Sequence, residues 1–166
     1  MSSSGPSSPV PRGHSTTAAS TTAATKNPKR ASPNSGASET EDGSYLILSI
    51  GKGTDDKNQL LYYDLKAPGA KPVPGPADFV TLVDSFEAEY QFLGNDGATF
   101  YFKNNLNTPK ARVIAIDTKN PAKENWKVVI PAADNVLQGV GITKNNVLVN
   151  ISDNVAVKVM AYTKSG

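Results

Sequence analysis

Hydrophobic side chains recur along the middle of this chain in short runs that polar turn sequences interrupt. The runs are rich in Val, Ile, Tyr and Phe and are bounded by Asn-Asp-Gly, Asn-Thr-Pro and Lys-Asn-Pro, a pattern typical of antiparallel β-strands. The predicted strands are Ala88–Leu93, Ala98–Asn104, Ala111–Asp117 and Trp126–Pro131. Four consecutive strands of this kind predict one complete blade of a β-propeller over residues 87–131.

The same pattern recurs on each side of this blade. Upstream, the predicted strands are Ser44–Ile50, Gln59–Leu65 and Phe79–Asp84, and we expect any first strand to be lost in the N-terminal tail. Downstream, they are Val136–Thr143, Asn146–Ser152 and Val155–Thr163. The sequence therefore predicts an incomplete blade over residues 40–85 and another over 135–166.

The turn before each second strand supports a repeat. Gly43, Gly97 and Asn146 occupy equivalent turn positions, separated by 54 and then 49 residues. This spacing is near the ~40–50 residue period of blade repeats. We therefore expect an all-β protein, a partial β-propeller of about two to three four-stranded antiparallel blades. An antiparallel sandwich would also show short strands, so it stays open as the alternative.

Residues 1–37 differ from the rest of the chain because they are rich in Ser, Thr, Ala and Pro and almost devoid of large apolar side chains. Such a segment cannot bury enough surface to offset the entropy of ordering, and we expect a disordered tail followed by the propeller part at 38–166. The tail holds four basic residues and no acidic one, which is also compatible with an organellar transit peptide or, in part, an expression tag. Its charges are scattered and lack aromatic neighbours, so we expect neither nucleic acid nor membrane as a partner.

Several kinds of chemistry have no candidate residues. The chain has no cysteine, its one histidine, His14, lies in the tail, and the Gly-x-Ser-x-Gly pattern of a serine nucleophile does not occur. The paired acids Glu87/Glu89 and Asp55/Asp56 are expected to be surface charges, and the aromatic residues at strand spacing are expected to pack the sheets. We therefore predict no metal, no cofactor and no catalysis by this chain alone. No apolar run approaches ~18 residues and no secretory signal begins the chain, so we expect a cytoplasmic protein, with an organelle as the alternative.

Several stretches closely resemble the β-propeller of the prolyl oligopeptidase family. The most specific is the phrase Phe102–Pro109 followed by Arg112–Asp117, which resembles the family's F-K-T-N-x-x-A/S-P and x-V-I-x-I-D. The resemblance covers roughly residues 38–165. The other matching stretches are Glu39–Ile50, Asn58–Leu65, Phe86–Tyr90 and Trp126–Pro131.

The resemblance implies a parent that is a serine-type endopeptidase cleaving after proline. In that family a seven-bladed propeller covers an α/β-hydrolase domain bearing a Ser-Asp-His triad and restricts access to short peptides. No residue here matches the triad. The loop Gly51–Asp56 aligns with one that reaches toward the central cavity, where Thr54 stands in place of a reactive cysteine of some members and Gly51 in place of an arginine. Thr54 is therefore the candidate substrate-cavity residue, and both differences from the family weaken direct substrate contact.

Two functions follow from the sequence. The first is a fragment of a prolyl oligopeptidase-like peptidase, the propeller part that gates peptide access to an absent hydrolase domain and meets short proline-containing peptides only within the full-length enzyme. The alternative is a non-catalytic interaction module that uses its sheet edges to bind a partner. Because an incomplete ring leaves sheet faces and edges uncovered, we also expect marginal stability and self-association through exposed strand edges.

Overall fold

The computed structural model describes residues 36–132, 136–153 and 156–165, and within these ranges the chain forms three antiparallel sheets. Sheet 1 contains β1 Gly36–Glu39, β2 Tyr45–Gly51, β3 Asn58–Asp64 and β4 Val80–Val83. Sheet 2 contains β5 Tyr90–Asp96, β6 Thr99–Asn104, β7 Arg112–Asp117 and β8 Lys127–Ile130. Sheet 3 contains β9 Val136–Ile142, β10 Asn146–Asp153 and β11 Ala156–Thr163. Single 3-10 turns, Pro76–Asp78 and Lys123–Asn125, precede β4 and β8.

Each sheet is a meander, in which every strand pairs with the next one along the chain. The turns between first and second strands are tight: Gly43 and Gly97 adopt φ values of 62° and 54°, which suit glycine, and the Thr143 amide donates to the Asn146 carbonyl at 2.8 Å. The all-β class is confirmed. Three successive meanders fit the blade prediction and not a two-sheet sandwich.

The prediction that the first sheet lacks its first strand is wrong. Gly36–Glu39 is that strand, and it pairs antiparallel with β2 from Gly36 opposite Ser49 to Glu39 opposite Leu46. Its sequence, Gly-Ala-Ser-Glu, has no large apolar side chain and all four residues are exposed, so the strand has no hydrophobic signature. Backbone pairing with β2 forms it instead, and Gly36 and Ala37, which the sequence assigned to the tail, belong to the sheet. The expected disorder of the preceding residues lies outside the described part of the chain.

Sheet 2 lies between the other two sheets and is covered on both faces. In β6, Phe100 and Phe102 pack in the core with sheet 1, whereas Tyr101 packs in the core with sheet 3. β7 alternates in the same way, with Ile114 toward sheet 1 and Val113 toward sheet 3. Since successive side chains of a strand point to opposite faces, the part of a strand that is buried on both faces must be apolar at every position. This holds for residues 100–102 of β6 and 113–116 of β7, all of which are buried.

Candidate functional site

A cleft of about 500 Å³ opens between sheets 1 and 2, beside the first strand of each sheet. Its floor is apolar and consists of Ile47, Leu60 and Phe92, while its rim is polar. The remaining lining residues are Gly36, Ser38, Ser49, Asp56, Asn58, Glu89, Tyr90 and Gln91. A concave surface that combines apolar and polar groups in this way can take an extended peptide.

Asn58 closes the back of this cleft by joining the two sheets. Its side-chain amide donates to the Tyr90 carbonyl at 2.9 Å and its side-chain carbonyl accepts from the Tyr90 amide at 2.7 Å. The amide also donates to Ser49 Oγ at 2.6 Å, and the Asn58 backbone amide donates to the Ala88 carbonyl at 3.1 Å. The side chain is 3% exposed, so these bonds replace water completely. Asn58 thus pairs with β5 much as a neighbouring strand would.

The loop between β2 and β3 stands at one end of the cleft. Its residues 52–57 are exposed, Gly53 has a φ of 64°, and Lys52 Nζ lies 5.9 Å from the centre of the Phe86 ring. The structure brings Asp56 of this loop to the cleft lining, but Thr54 is not among the lining residues. Contact between Thr54 and a substrate therefore stays a prediction. Gly51, aligned with an arginine of some family members, is the last residue of β2.

Sequence reasoning missed most of the cleft, including Asn58. A polar residue at the start of the apolar run Asn58–Leu65 is a signal that was present in the sequence. It could not indicate the partner, because Tyr90 lies 32 residues further along the chain.

The paired acids serve different local roles. Glu87 accepts a hydrogen bond from Ser85 Oγ at 2.6 Å and forms an ion pair with Lys123, whereas Glu89 lies on the cleft rim. Asp55 Oδ1 accepts from the Lys57 amide at 3.3 Å within the loop. Within the described ranges no group of three or more His, Cys, Asp or Glu side chains is arranged to hold a metal ion.

A group of aromatic side chains packs between sheets 1 and 2. The rings of Tyr45, Tyr62 and Phe92 meet that of Phe100 edge-on at 4.9, 5.4 and 6.1 Å between centroids. Trp126 packs edge-on against Tyr90 at 6.0 Å. Burial raises the pKa of Tyr90 to about 12, because its hydroxyl would have to ionise inside the core.

A second cavity, of about 310 Å³, lies where the turns between first and second strands of all three sheets meet. Asp42 of sheet 1 accepts hydrogen bonds from the Thr40 hydroxyl at 2.7 Å and from Asn95 Nδ2 of sheet 2 at 3.1 Å, and the Thr40 bond foremost lowers the pKa of Asp42 to about 2. Lys164, which follows β11, lies 3.3 Å from Asp96 and 5.5 Å from the centre of the Tyr101 ring. These polar contacts link neighbouring sheets at this end.

Consecutive antiparallel meanders, each packed face to face on the next, with an open cleft beside their first strands, define the protein class as a β-propeller, here in part. The family described as prolyl oligopeptidase, N-terminal beta-propeller domain, matches residues 17–166. The chain therefore belongs to the prolyl oligopeptidase family, within that domain.

Individual relatives agree with this assignment. The dual function macrocyclase-peptidase POPB of Galerina marginata is 32% identical over 132 residues, which are 79% of this chain and 18% of that protein. The prolyl endopeptidase of Elizabethkingia meningoseptica is 29% identical over 103 residues, 62% of this chain and 13% of that protein. The structure of apo prolyl oligopeptidase B from Galerina marginata has a TM-score of 0.67 at 30% identity and covers 80% of this chain and 18% of that one.

The matched part is propeller, and the chain spans between 13% and 18% of the length of these relatives. The resemblance inferred from the sequence and the partial propeller are both confirmed. Among the described residues, no helix has the length and hydropathy needed to cross a bilayer.

Proposed function

We propose that this chain is the propeller part of a prolyl oligopeptidase-like serine peptidase and that it governs peptide access to a hydrolase domain outside the matched part. The observation that carries the proposal is the family match over residues 17–166, together with an open cleft between sheets 1 and 2. One similar structure is that of prolyl oligopeptidase B from Galerina marginata bound to a 35mer hydrolysis and macrocyclization substrate, so a relative of this fold accommodates a long peptide.

The proposal is tested in two stages. The purified chain should not hydrolyse a Gly-Pro-linked chromogenic peptide, since its sequence lacks the Gly-x-Ser-x-Gly pattern and the described residues include no histidine to act as base. A chimera should then be made in which residues 36–165 replace the matching segment of Galerina marginata prolyl oligopeptidase B. We expect this chimera to cleave after proline.

The chimera also tests gating. Opening the cleft rim by Gln91→Ala should alter the relative rates on short and long peptides, whereas Gln138→Ala, on sheet 3 outside the cleft, should not. Activity of the isolated chain at constant specific activity through purification would contradict the proposal. A chimera that unfolds cooperatively and binds peptide, but whose relative rates on short and long peptides do not change with Gln91→Ala, would also contradict the proposal.

We also propose that Thr54 contacts substrate in such an enzyme. Its support is its position in the exposed loop whose residue Asp56 lines the cleft. In the chimera, Thr54→Tyr should change KM for proline-containing peptides several-fold, because a ring would intrude on the cavity. Thr81→Tyr, at an exposed position on β4, is the matched control and should leave KM unchanged.

The second candidate function is a non-catalytic interaction module that binds an extended segment of a partner through the edge of a strand. Self-association of the chain through such an edge is part of this proposal. Analytical ultracentrifugation of the 166-residue chain over a wide concentration range distinguishes the cases. Strictly monomeric behaviour and no binding of extended peptides would exclude the module.

Two further predictions concern the tail and the compartment. We propose that the N-terminal tail is separate from the propeller part, with the boundary just before β1 at Gly36 and not between residues 37 and 38 as the sequence predicted. Limited proteolysis should remove the tail and leave a fragment beginning near Gly36.

We further propose a cytoplasmic location, with an organelle as the alternative. Imaging of the tagged chain with and without its first 35 residues would distinguish the two locations.

A further inference from the structure

The charged side chains that line the cleft between sheets 1 and 2 are all of one sign. Asp56 of the loop between β2 and β3 and Glu89, which directly precedes β5, are carboxylates, and no Lys, Arg or His stands among the described lining residues. Glu89 is exposed at the rim. Charges beside the low-dielectric walls of a cleft concentrate their field within it. The cleft therefore favours a cationic group of a ligand over an anionic one.

The cationic side chains closest to these residues along the strands and the loop are engaged elsewhere or stand outside the lining. Lys103 of β6 donates from Nζ to the Leu137 carbonyl of sheet 3 at 3.3 Å. Lys52 Nζ lies 5.9 Å from the centre of the Phe86 ring. Lys57 is exposed and is not a lining residue. The negative sign of the cleft is thus a property of its own lining.

The floor of the cleft suits the stem of a long cationic side chain. Ile47 and Leu60 are 3% and 1% exposed, and Phe92 is half-buried, so the floor is a fixed apolar surface. Lys and Arg bury their methylene stems along such surfaces while their charged ends stay among polar groups. A bare metal ion would leave this floor unused and would need more convergent oxygen ligands. Floor and rim together are complementary to a basic side chain.

We propose that the cleft selects peptides that carry Lys or Arg, with Glu89 as the residue that determines this specificity. The stem of the basic side chain lies on the floor of Ile47, Leu60 and Phe92, and its charged end lies at the rim beside Glu89, with Asp56 as the second negative charge. The inference rests on the proposed control of peptide access and names the class of peptide that the same cleft prefers.

Binding to the whole 166-residue chain tests this preference without a hydrolase domain. Three blocked proline-containing peptides should be compared, identical except for Lys, norleucine or Glu at one position, because norleucine keeps the stem and removes the charge. Titration of the isotope-labelled chain, followed by NMR, gives each Kd and shows whether the amides of Gln91 and Phe92 shift. We expect the Lys peptide to bind about three- to tenfold more tightly than the norleucine peptide, since each exposed ion pair contributes modestly.

Salt and a matched pair of variants identify the charge responsible. Ionic strength of about 1 M, where the Debye length is about 3 Å, should remove most of the preference for Lys. Glu89→Gln should reduce the preference to less than about twofold and leave binding of the norleucine peptide unchanged. Glu124→Gln removes the same charge at an exposed position outside the cleft and should leave the preference intact. Equal thermal transitions of the two variants would show that both fold.

Several results would overturn the inference. These are equal affinities for the Lys and norleucine peptides, shifts confined to amides outside the cleft, no measurable binding of any peptide, or an equal loss of preference in Glu89→Gln and Glu124→Gln. The proposed control of access fails separately. A chimera that cleaves after proline and responds to Gln91→Ala, but treats Lys and norleucine peptides alike, retains that function and contradicts only the selection of basic residues.

Discussion

At the scale of single residues, buried polar groups decide how neighbouring sheets are held together. Asn58 satisfies both backbone groups of Tyr90, one in a bond of 2.7 Å and one in a bond of 2.9 Å. A buried amide that loses its partner costs more than the bond itself contributed, since it cannot return to water. Packing of apolar residues between the sheets is strong but not directional, so these bonds fix the register of β3 against β5.

Replacing Asn58 with Ala should therefore be costly. Both Tyr90 backbone groups would be left without partners in a buried position, and we expect a loss of roughly 2–4 kcal/mol in the free energy of unfolding. Urea denaturation, monitored by the fluorescence of Trp126, measures this loss of free energy, because Trp126 packs in the same core. Asn120→Ala, at an exposed turn position, is the matched control and should change stability by less than about 0.5 kcal/mol. Equal effects of the two substitutions would contradict the role given to Asn58.

Replacing tyrosine with phenylalanine should have opposite effects on stability at two positions of this chain. The Tyr90 hydroxyl is buried without a hydrogen-bond partner among the described residues, whereas the Tyr63 hydroxyl accepts a bond from the Lys71 amide at 2.5 Å. Tyr90→Phe should leave the free energy of unfolding unchanged or raise it by up to about 1 kcal/mol, and Tyr63→Phe should lower it by about 0.5–1.5 kcal/mol. Thermal and urea unfolding of both variants checks this. A clear loss in Tyr90→Phe would indicate that its hydroxyl is satisfied in solution.

At the scale of elements, an irregularity in β5 determines how closely sheet 3 approaches sheet 2. The pairing of β5 with β6 shifts between Phe92 and Gly94, as in a β-bulge, and Gly94 has a φ of 153°. A Cβ atom on Gly94 would lie 3.2 Å from the Cβ atom of Ile142 in β9. The bulge and the glycine together allow the strands of two sheets to touch.

Gly94→Ala should accordingly destabilise the contact between sheets 2 and 3. The new methyl group meets Ile142 and the backbone conformation disfavours a side chain, for an expected loss of about 1–3 kcal/mol. Gly141→Ala is the control within β9, because no atom lies within 4 Å of its added Cβ, and it should be nearly neutral or slightly stabilising. Chemical denaturation of the three proteins measures the difference. A neutral Gly94→Ala would show that β9 can shift without cost.

At the scale of the whole molecule, the three sheets are not equally protected. Sheet 2 buries both faces, and its residues Phe100, Phe102, Val113 and Ile116 are almost completely inaccessible. Sheets 1 and 3 each pack one face on sheet 2. In arrays of this kind stability resides mainly in the contacts between neighbours, so the end units open first.

Amide hydrogen exchange should follow this order. The slowest amides are expected in β6 and β7 and the fastest in β1 and β11, as measured by mass spectrometry on dilute protein. Uniform exchange across all three sheets would mean that the chain unfolds in one cooperative step. The same amide exchange rates also test whether the chain is marginally stable, as expected.

The sequence pattern by itself determined the all-β class and the order and approximate bounds of ten of the eleven described strands, whereas the family followed from the resemblance of particular stretches such as Phe102–Pro109. It could do so because strand formation in this chain is largely local: apolar runs of fixed period, interrupted by glycine and asparagine turns, report on burial wherever a face is covered.

Tertiary structure alone decided the remaining features. β1 forms because β2 offers a row of backbone groups, although its own side chains give no signal. The cleft, the Asn58 bonds to Tyr90 and the approach of Ile142 to Gly94 join residues that are distant along the chain. Contacts of this kind depend on how whole sheets stack, and no periodicity within a single strand can specify which residue of the next sheet it will meet.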